Sequence, residues 1–146
     1  MASANKTATH KFVIVLNEKS PVGKLLSATG QLAMSLFADA TSEQREHMNF
    51  VPFHSPTTNK LIVLSTTSFV VLKGTQNQLL TLYSNTQEQN ILSAIFTSTM
   101  SFNGIEEDLI HKTANTDLGE VEIYGVGLFG LINELTSLTK KFSVFK

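Results

Sequence analysis

The chain has 146 residues, of which 42% are apolar and 16% charged, and its formal net charge is −1. This length suits one domain, and the composition is that of a globular protein rather than a disordered one. The absence of cysteine excludes disulfides, thiolate metal sites and cysteine nucleophiles. The balanced charge, without a Lys/Arg cluster, argues against a broad nucleic-acid surface, and we expect no DNA partner.

The first ten residues differ from the rest of the chain. Residues 1–10 are polar, without an apolar core, and are predicted to form a flexible N-terminal arm rather than a secretory signal. Residues 11–146 are predicted to form a single domain. No apolar run approaches the ~20 residues that are needed to cross a bilayer. We therefore expect a cytoplasmic protein with no membrane partner.

The clearest structural signal is a strand that leads into a helix. The continuous apolar run 12–16 predicts a strand buried on both faces. Ser20 as N-cap and Pro21 at the first helical position predict the start of a long amphipathic helix. Gly23 and Gly30 suggest the close approach of another backbone. The predicted inner face comprises Val22, Leu25, Leu26, Leu32, Ala33, Leu36 and Phe37, with Thr29 bridging the gap. The predicted polar face comprises Lys24, Ser27, Ala28, Gln31 and Ser35.

Strand and helix patterns alternate along the rest of the chain. Strands are predicted at 49–53, 61–64, 69–72, 91–96, 121–128 and 142–145. Helices are predicted at 75–89, 103–111 and 131–138, and residues 41–48 indicate a loop or a short helical turn. Asn103 is the predicted N-cap of the second of these helices, with Glu106 completing a capping box. The alternation predicts a mixed, mostly parallel sheet covered by helices.

The segment Gly125–Gly130 matches the pattern G-x-G-x-x-G. A dinucleotide site requires this pattern at an early strand-to-helix turn, with an acidic residue about 20 positions further on. Only residues 131–146 follow, and no acidic residue lies at that distance. We therefore interpret these glycines as part of a strand and its exit, and we expect no cofactor.

Two other kinds of site have incomplete residue sets. Glu107 or Asp108 could meet His111 on one helix face, but two ligands fall short of the three that a metal site needs, and we expect no metal. The alternative is a solvated helix with its acids at the positive end of the dipole. A Ser–His–Asp triad can assemble from distant positions, although no G-x-S-x-G elbow is present.

A polar stripe on the first helix is the best candidate for a ligand site. Lys24, Ser27 and Gln31 form this stripe, and Lys24 lies just beyond the carboxyl end of the first strand. Ligands of open α/β sheets bind beyond the carboxyl ends of strands, where a lysine can hold a phosphate or a carboxylate. Ser98 and Thr99 follow a later strand and could line the same crevice. The alternative is an ordinary solvated helix face beside a polar loop.

Several segments, taken in order, resemble a known family. They are Lys11–Asn17, the helix start at Pro21 and Gly23, Phe69–Gly74, Phe96–Met100, Gly125–Gly130 and Leu138–Phe145. Together they resemble an uncharacterised bacterial family, the domain-of-unknown-function family numbered two thousand, which is similar in fold to peptidyl-tRNA hydrolase II. The resemblance spans about residues 11–146. It implies a three-layer α/β/α sandwich around a mixed sheet, frequently assembled as a homodimer.

The resemblance does not extend to a complete catalytic set. Peptidyl-tRNA hydrolase II has a lysine early in the first helix region, close to Lys24, and an aspartate where this chain has Ile95, near a threonine matched by Thr99. Relatives in the uncharacterised family have asparagine and histidine where this chain has Ser27 and Gln31. Isoleucine cannot orient a water, and glutamine cannot act as a general base. The fold therefore carries over better than the activity.

The sequence favours a ligand-binding or interaction module over an enzyme. Its predicted binding surface is the crevice between the start of the first helix and the loop after Phe96, and its expected partners are a small anionic ligand or an RNA end and a second copy of the chain. The alternative is a hydrolase acting on an ester or on peptidyl- or aminoacyl-tRNA, in which Lys24 positions phosphate and Ser98 or Thr99 contacts substrate. A third hypothesis is a structural dimer without a small-molecule site.

Overall fold

The computed structural model describes residues 8–101 and 104–146. Strands run over His10–Asn17 (β1), Phe50–Phe53 (β2), Ile62–Ser65 (β3), Ser68–Gly74 (β4), Leu92–Thr97 (β5), Ile123–Leu131 (β6) and Ser143–Val144 (β7). Helices run over Val22–Asp39 (α1), Ser42–His47 (α2), Gln76–Glu88 (α3), Glu106–Ala114 (α4) and Ile132–Thr139 (α5). Short 3₁₀ turns occupy Ser98–Met100 and Leu118–Glu120. Most of the predicted N-terminal arm, residues 1–7, lies outside the described residues.

The central sheet is mixed, with the strand order β5-β6-β1-β4-β7. β1 and β4 are parallel, whereas β6 is antiparallel to both β1 and β5, and β7 is antiparallel to β4. The mixed sheet is confirmed, but the expectation of mostly parallel pairing is wrong. A parallel connection from β5 to β6 would need a helix that crosses the sheet. The helix between them, α4, instead packs against the 3₁₀ turn Ser98–Met100. The chain therefore returns antiparallel to β5.

Strand β1 lies at the centre of the sheet and is buried on both faces, as predicted. Val13, Ile14 and Val15 are each 0% exposed. Ile14, with Phe12 and Leu16, packs in the cluster that contains the inner face of α1. Val13 and Val15 pack in the opposite cluster, together with residues of α3 and α5. Helices thus cover both faces of the sheet, and the core has two layers.

Helix α1 buries only part of the face that was predicted. Its buried residues are Leu25, Ala28, Leu32 and Leu36. Ala28 was expected on the polar face, whereas Val22, Leu26 and Phe37, expected inside, are 66%, 71% and 44% exposed. The prediction is confirmed for Leu25, Leu32 and Leu36. It is wrong for the other residues named because the helix carries more apolar residues than one face can bury, so packing on the sheet selects among them.

Two glycines of β6 determine how closely α1 packs. The run Gly125–Gly130 lies within the strand, as the sequence indicated. A Cβ atom added at Gly125 would lie 3.0 Å from the side chain of Leu32, and one at Gly127 would lie 3.3 Å from the Cβ of Leu32. In contrast, a Cβ at Gly23 or Gly30 would meet nothing within 4 Å, so the close approach expected there is wrong. The close helix–strand contact is made by the glycines of the strand.

The start of α1 also differs from the prediction. The helix begins at Val22, and Pro21 is its N-cap, without a side-chain capping bond. Ser20 lies one residue before the N-cap, and its hydroxyl donates to Glu122 Oε2 at 2.6 Å. This hydroxyl–carboxylate bond holds Ser20 against the residue that precedes β6.

Two further helices have starts that the sequence located only in part. Residues 41–48 contain a true helix, α2, whose Thr41 forms a capping box with Gln44. The predicted N-cap Asn103 lies outside the described residues. Helix α4 begins at Glu106 and continues to Ala114, beyond the predicted end.

Strands β2 and β3 form a separate antiparallel hairpin. Both strands were predicted, but among the described residues they pair with each other and not with the central sheet. Of the segment Ser65–Ser68, predicted as an interruption, only Thr66 and Thr67 separate β3 from β4. No helix in the part of the chain that the structure describes is long and apolar enough to span a membrane.

Candidate functional site

The carboxyl end of β1 is held by a buried amide. Asn17 is 4% exposed, and its Nδ2 donates to the carbonyl of Ile123 at 2.9 Å. Its Oδ1 accepts from the backbone N–H of Lys19 at 3.0 Å. Both ends of the amide are therefore used to fix the turn after β1 against the start of β6. The polar turn is a structural joint rather than an open binding loop.

Gln76 extends this joint from the start of α3. Its Oε1 accepts from the backbone N–H of Ile123 at 2.9 Å, and its Nε2 donates to the carbonyl of Val121 at 2.7 Å. The side-chain amide thus takes the place of a neighbouring strand at the point where β6 begins. Asn17 Nδ2 also reaches Gln76 Oε1 at 3.2 Å, which links the two amides.

Lys24 lies where α1, the loop after the 3₁₀ turn and β6 come together. Its ammonium donates to the carbonyl of Ser101 at 2.9 Å and to the Ser101 hydroxyl at 3.1 Å. It also lies 6.0 Å from the centre of the Tyr124 ring. Lys24 therefore bridges the first turn of α1 and the loop after the 3₁₀ turn.

Acidic and aromatic groups line the same junction. Glu122 accepts from Ser20 and is the residue before β6, two positions before Tyr124. Burial raises the pKa of the Tyr124 phenol, and the charge of Glu122 raises it further. Both effects disfavour the phenolate, so Tyr124 is a neutral ring at physiological pH.

The structure brings Ser98 and Thr99 to the edge of the junction and uses both in internal hydrogen bonds. The Ser98 hydroxyl accepts from the backbone N–H of Glu122 at 3.3 Å, and the Ser98 N–H donates to the Glu122 carbonyl at 2.9 Å. Thr99 is 4% exposed. Its hydroxyl lies 2.9 Å from that of Thr97 and accepts from Thr113 at 3.0 Å. Thr99 therefore belongs to a chain of three hydroxyls that joins β5 to α4.

Gln31 and Ile95, which the sequence singled out, line one small cavity. This cavity is about 280 Å³ and also contacts Ser35, Phe96 and Met100. Gln31 is exposed on α1, one turn after the exposed Ser27. Neither an amide nor an aliphatic side chain can exchange a proton with a substrate. The lining residues named here therefore include no side chain that could act as a catalytic acid or base.

A larger apolar groove lies on the outer side of α1. Its volume is about 660 Å³, and its lining residues are Phe12, Ala33, Met34, Phe37, Phe50, Val63, Ser65 and Phe69. The rings of Phe37 and Phe50 meet edge to face, with centroids 5.4 Å apart, so the helix and the hairpin form its two walls. Ser65 supplies the only hydroxyl among these lining residues, and none of them is charged.

None of the predicted sites includes this groove, although the sequence contains two signals of it. Helix α1 has more apolar positions than one face needs, which leaves Met34 and Phe37 outside. The segment 61–64 is apolar at every position and does not alternate as a half-buried strand should. Read together, these signals indicate an apolar surface that the domain core does not absorb.

Metal ligation has no support in the geometry. No group of three or more His, Asp or Glu side chains in residues 8–101 and 104–146 is arranged to hold a metal ion. His111 instead lies 3.3 Å from the side-chain amide of Asn115 on the same helix.

Comparison with known proteins identifies relatives without a known activity. A family model described as a protein of unknown function, DUF2000, matches residues 10–146. A solved structure of a protein of unknown function from Agrobacterium tumefaciens has a TM-score of 0.81 and 17% identity, covering 96% of this chain and 100% of that one. At that identity the likeness shows a shared fold alone. No curated protein matches the chain.

Proposed function

Because the chain belongs to the DUF2000 family, whose description names no activity, we propose its function from the geometry: a ligand-binding or interaction module without a full catalytic set. We propose further that its fold is similar to that of peptidyl-tRNA hydrolase II, and that it acts in the cytoplasm as a homodimer. The mixed sheet with helices on both faces supports this assignment of fold.

The apolar groove is the observation that carries this proposal. Four phenylalanines, a methionine and a valine line it, and three of them, Met34, Phe37 and Phe69, are 60%, 44% and 44% exposed. Soluble monomers rarely leave contiguous apolar patches of this kind uncovered, and such patches mark interaction sites. The groove therefore supports binding of an apolar partner surface.

The polar junction supports binding over catalysis. Lys24, Ser98 and Thr99 all have partners within the chain, and Thr99 is buried. A catalytic set needs a group that can take a proton within reach of a nucleophile. Gln31 and Ile95 occupy the positions where the family resemblance would lead one to look for such groups.

A dye titration tests the groove. Dilute protein is titrated with anilinonaphthalene sulfonate, whose fluorescence rises in apolar sites. We expect saturable binding that Phe69→Asp weakens at least several-fold, because an apolar occupant would have to desolvate the new carboxylate. Val144→Asp is the matched control, since Val144 is 60% exposed but does not line the groove. Unchanged dye binding in a folded Phe69→Asp variant contradicts the proposal.

The second candidate is a hydrolase of esters or of peptidyl- or aminoacyl-tRNA. It is favoured by the position of Lys24, whose ammonium stands at the junction of α1 and β6 and could exchange Ser101 for a phosphate. In this hypothesis Ser27 and Gln31 line the approach along α1, and Ser98 or Thr99 contacts the substrate.

Turnover and salt dependence separate the two candidates. Lys24→Ala should abolish hydrolysis of a peptidyl-tRNA or a nitrophenyl ester while the protein stays folded, and Lys19→Ala, an exposed neighbour, should leave it unchanged. Binding of an RNA end through Lys24 should weaken steeply as salt rises. A rate that is the same in Lys24→Ala removes this lysine from any mechanism.

A further inference from the structure

The hairpin formed by β2 and β3, here called the arm (residues 50–65), is attached to the domain at its base. The backbone N–H of Thr66 donates to the carbonyl of Asn49 at 3.1 Å, and the Thr67 hydroxyl donates to the carbonyl of His47 at 3.0 Å. The strands of the arm pair with each other. The inner face of the arm contacts the domain through Phe50, whose ring meets that of Phe37 on α1 edge to face.

Both faces of the arm are apolar. Phe50 and Val63 lie on the face that lines the groove. Phe53 pairs with Ile62, and Leu64 lies two residues along the same strand, so these three share the opposite face. They are 46%, 50% and 53% exposed. An isolated two-stranded hairpin is marginal in water, and one that is apolar on both faces requires cover.

We infer that the occupant of the groove is a second copy of this chain, with the two grooves facing each other across a two-fold axis and each arm laid on the partner. This inference rests on the proposed interaction function and assigns the interface of the proposed homodimer to the groove and the arm. A symmetric contact of this kind uses the same patch twice, so one chain must carry both the groove and the element that covers it. This chain carries both, side by side.

The exposed apolar area is sufficient for such an interface. The side chains concerned are Met34, Phe37, Phe50, Phe53, Ile62, Val63, Leu64 and Phe69, each between 43% and 60% exposed. Half-exposed side chains of this size present roughly 100 Å² each, so the groove and the two faces of the arm together offer on the order of 800 Å² per copy. A stable interface of standard size buries about 800 Å² on each partner.

The charge pattern favours a second copy over a different partner. Residues 49–72 contain a single formal charge, Lys60, and α1 contains only Lys24 and Asp39. A symmetric contact opposes each patch to its own copy, and like charges placed opposite each other would be repelled. The apolar side chains of the patch avoid this repulsion, and a charge stands only at its margin, where the guanidinium of Arg45 on α2 lies 4.7 Å from the centre of the Phe37 ring. A small apolar ligand in the groove would leave the outer face of the arm uncovered.

Light scattering over a dilution series of the full chain tests the inference. We expect a dimer at micromolar concentration, and at least about a hundredfold weaker association in Val63→Asp and Ile62→Asp, because each buries an unpaired carboxylate in an apolar interface. The two substitutions probe the inner and the outer face of the arm. Val144→Asp, outside this surface, should associate like the wild type.

Hydrogen exchange keeps the test decisive if a variant is destabilised. In the wild type, amides of β2 and β3 should become protected as protein concentration rises, while those of the free edge strand β5 should not change. A monomer at all concentrations overturns the inference, and so does a dimer that neither arm variant weakens. If the dye binds dilute protein but no dimer forms, the groove is an interaction site for another partner; if neither occurs, the proposed function fails as well.

Discussion

The rings of His10 and His47 stack on each other, with centroids 3.9 Å apart and planes inclined by 15°. His10 lies at the start of β1, and His47 ends α2, so the contact joins the central sheet to the segment that leads into the arm. The other side of His10 stacks on Phe129 at 5.5 Å. Burial lowers the pKa of His10, and the neighbouring His47 lowers it further, while Glu134 and Glu43 oppose these effects.

This stack predicts a loss of stability in acid. The folded state holds the pKa of His10 below its ordinary value of 6.5, so the unfolded chain binds the proton more readily than the folded chain. The free energy of unfolding should therefore be unaffected well above pH 6.5 and should fall as the pH is lowered through that value. Urea midpoints measured between pH 8 and pH 5 check this prediction.

His47→Gln provides the specific comparison for the stack. Removing His47 should reduce, but not abolish, the acid loss, because burial is the larger cause of the His10 shift. His54→Gln, in the loop that joins β2 to β3, should leave the pH profile as it is in the wild type. An identical profile in His47→Gln and the wild type would show that the stack does not contribute.

The two glycines of β6 should respond differently from those of α1. Gly125→Ala places a Cβ atom 3.1 Å from the Val15 carbonyl and 3.0 Å from Leu32, and should destabilise the protein by roughly 1–3 kcal/mol through overpacking. Gly30→Ala meets nothing within 4 Å and should stabilise α1 by about 1 kcal/mol. Thermal unfolding of both variants would reveal the opposite signs; a loss of stability in Gly30→Ala contradicts the packing described here.

Asn17→Ala should weaken the joint at the end of β1. The substitution leaves the carbonyl of Ile123 without its side-chain donor and should cost about 1–3 kcal/mol. Asn77→Ala, on the exposed side of α3, serves as the matched control and should change stability little. Equal denaturation midpoints for the two variants would mean that water replaces the Asn17 amide.

Thr99→Val tests whether the buried hydroxyl chain is structural. Valine has nearly the same shape but leaves the hydroxyls of Thr97 and Thr113 without this partner. We expect a loss of about 1–3 kcal/mol in the free energy of unfolding, measured with urea. Thr113→Val, which removes the hydroxyl at the outer end of this row of three hydroxyls, should lower the free energy of unfolding by less. If Thr99→Val is as stable as the wild type, the Thr99 hydroxyl is not needed for stability and would be available for a functional role.

Local patterns in the sequence located the elements and one part of the site. The apolar run of β1, the glycines of β6 and the order of strands and helices identified an α/β domain, because burial and backbone preference act over a few residues. The position of Lys24 at the end of β1 was also predictable. Its partner Ser101 was not, because no pattern within α1 indicates which loop will lie opposite.

Tertiary structure decided which of several similar surfaces became core. Ala28 is buried and Leu26 exposed because the flat surface at Gly125 and Gly127 receives one face of α1, and only the register of β6 against β1 creates that surface. The same long-range pairing brings His10 to His47. Residues that are far apart in the sequence come into contact only when the strand order of the sheet is established. Short-range sequence patterns do not specify that order.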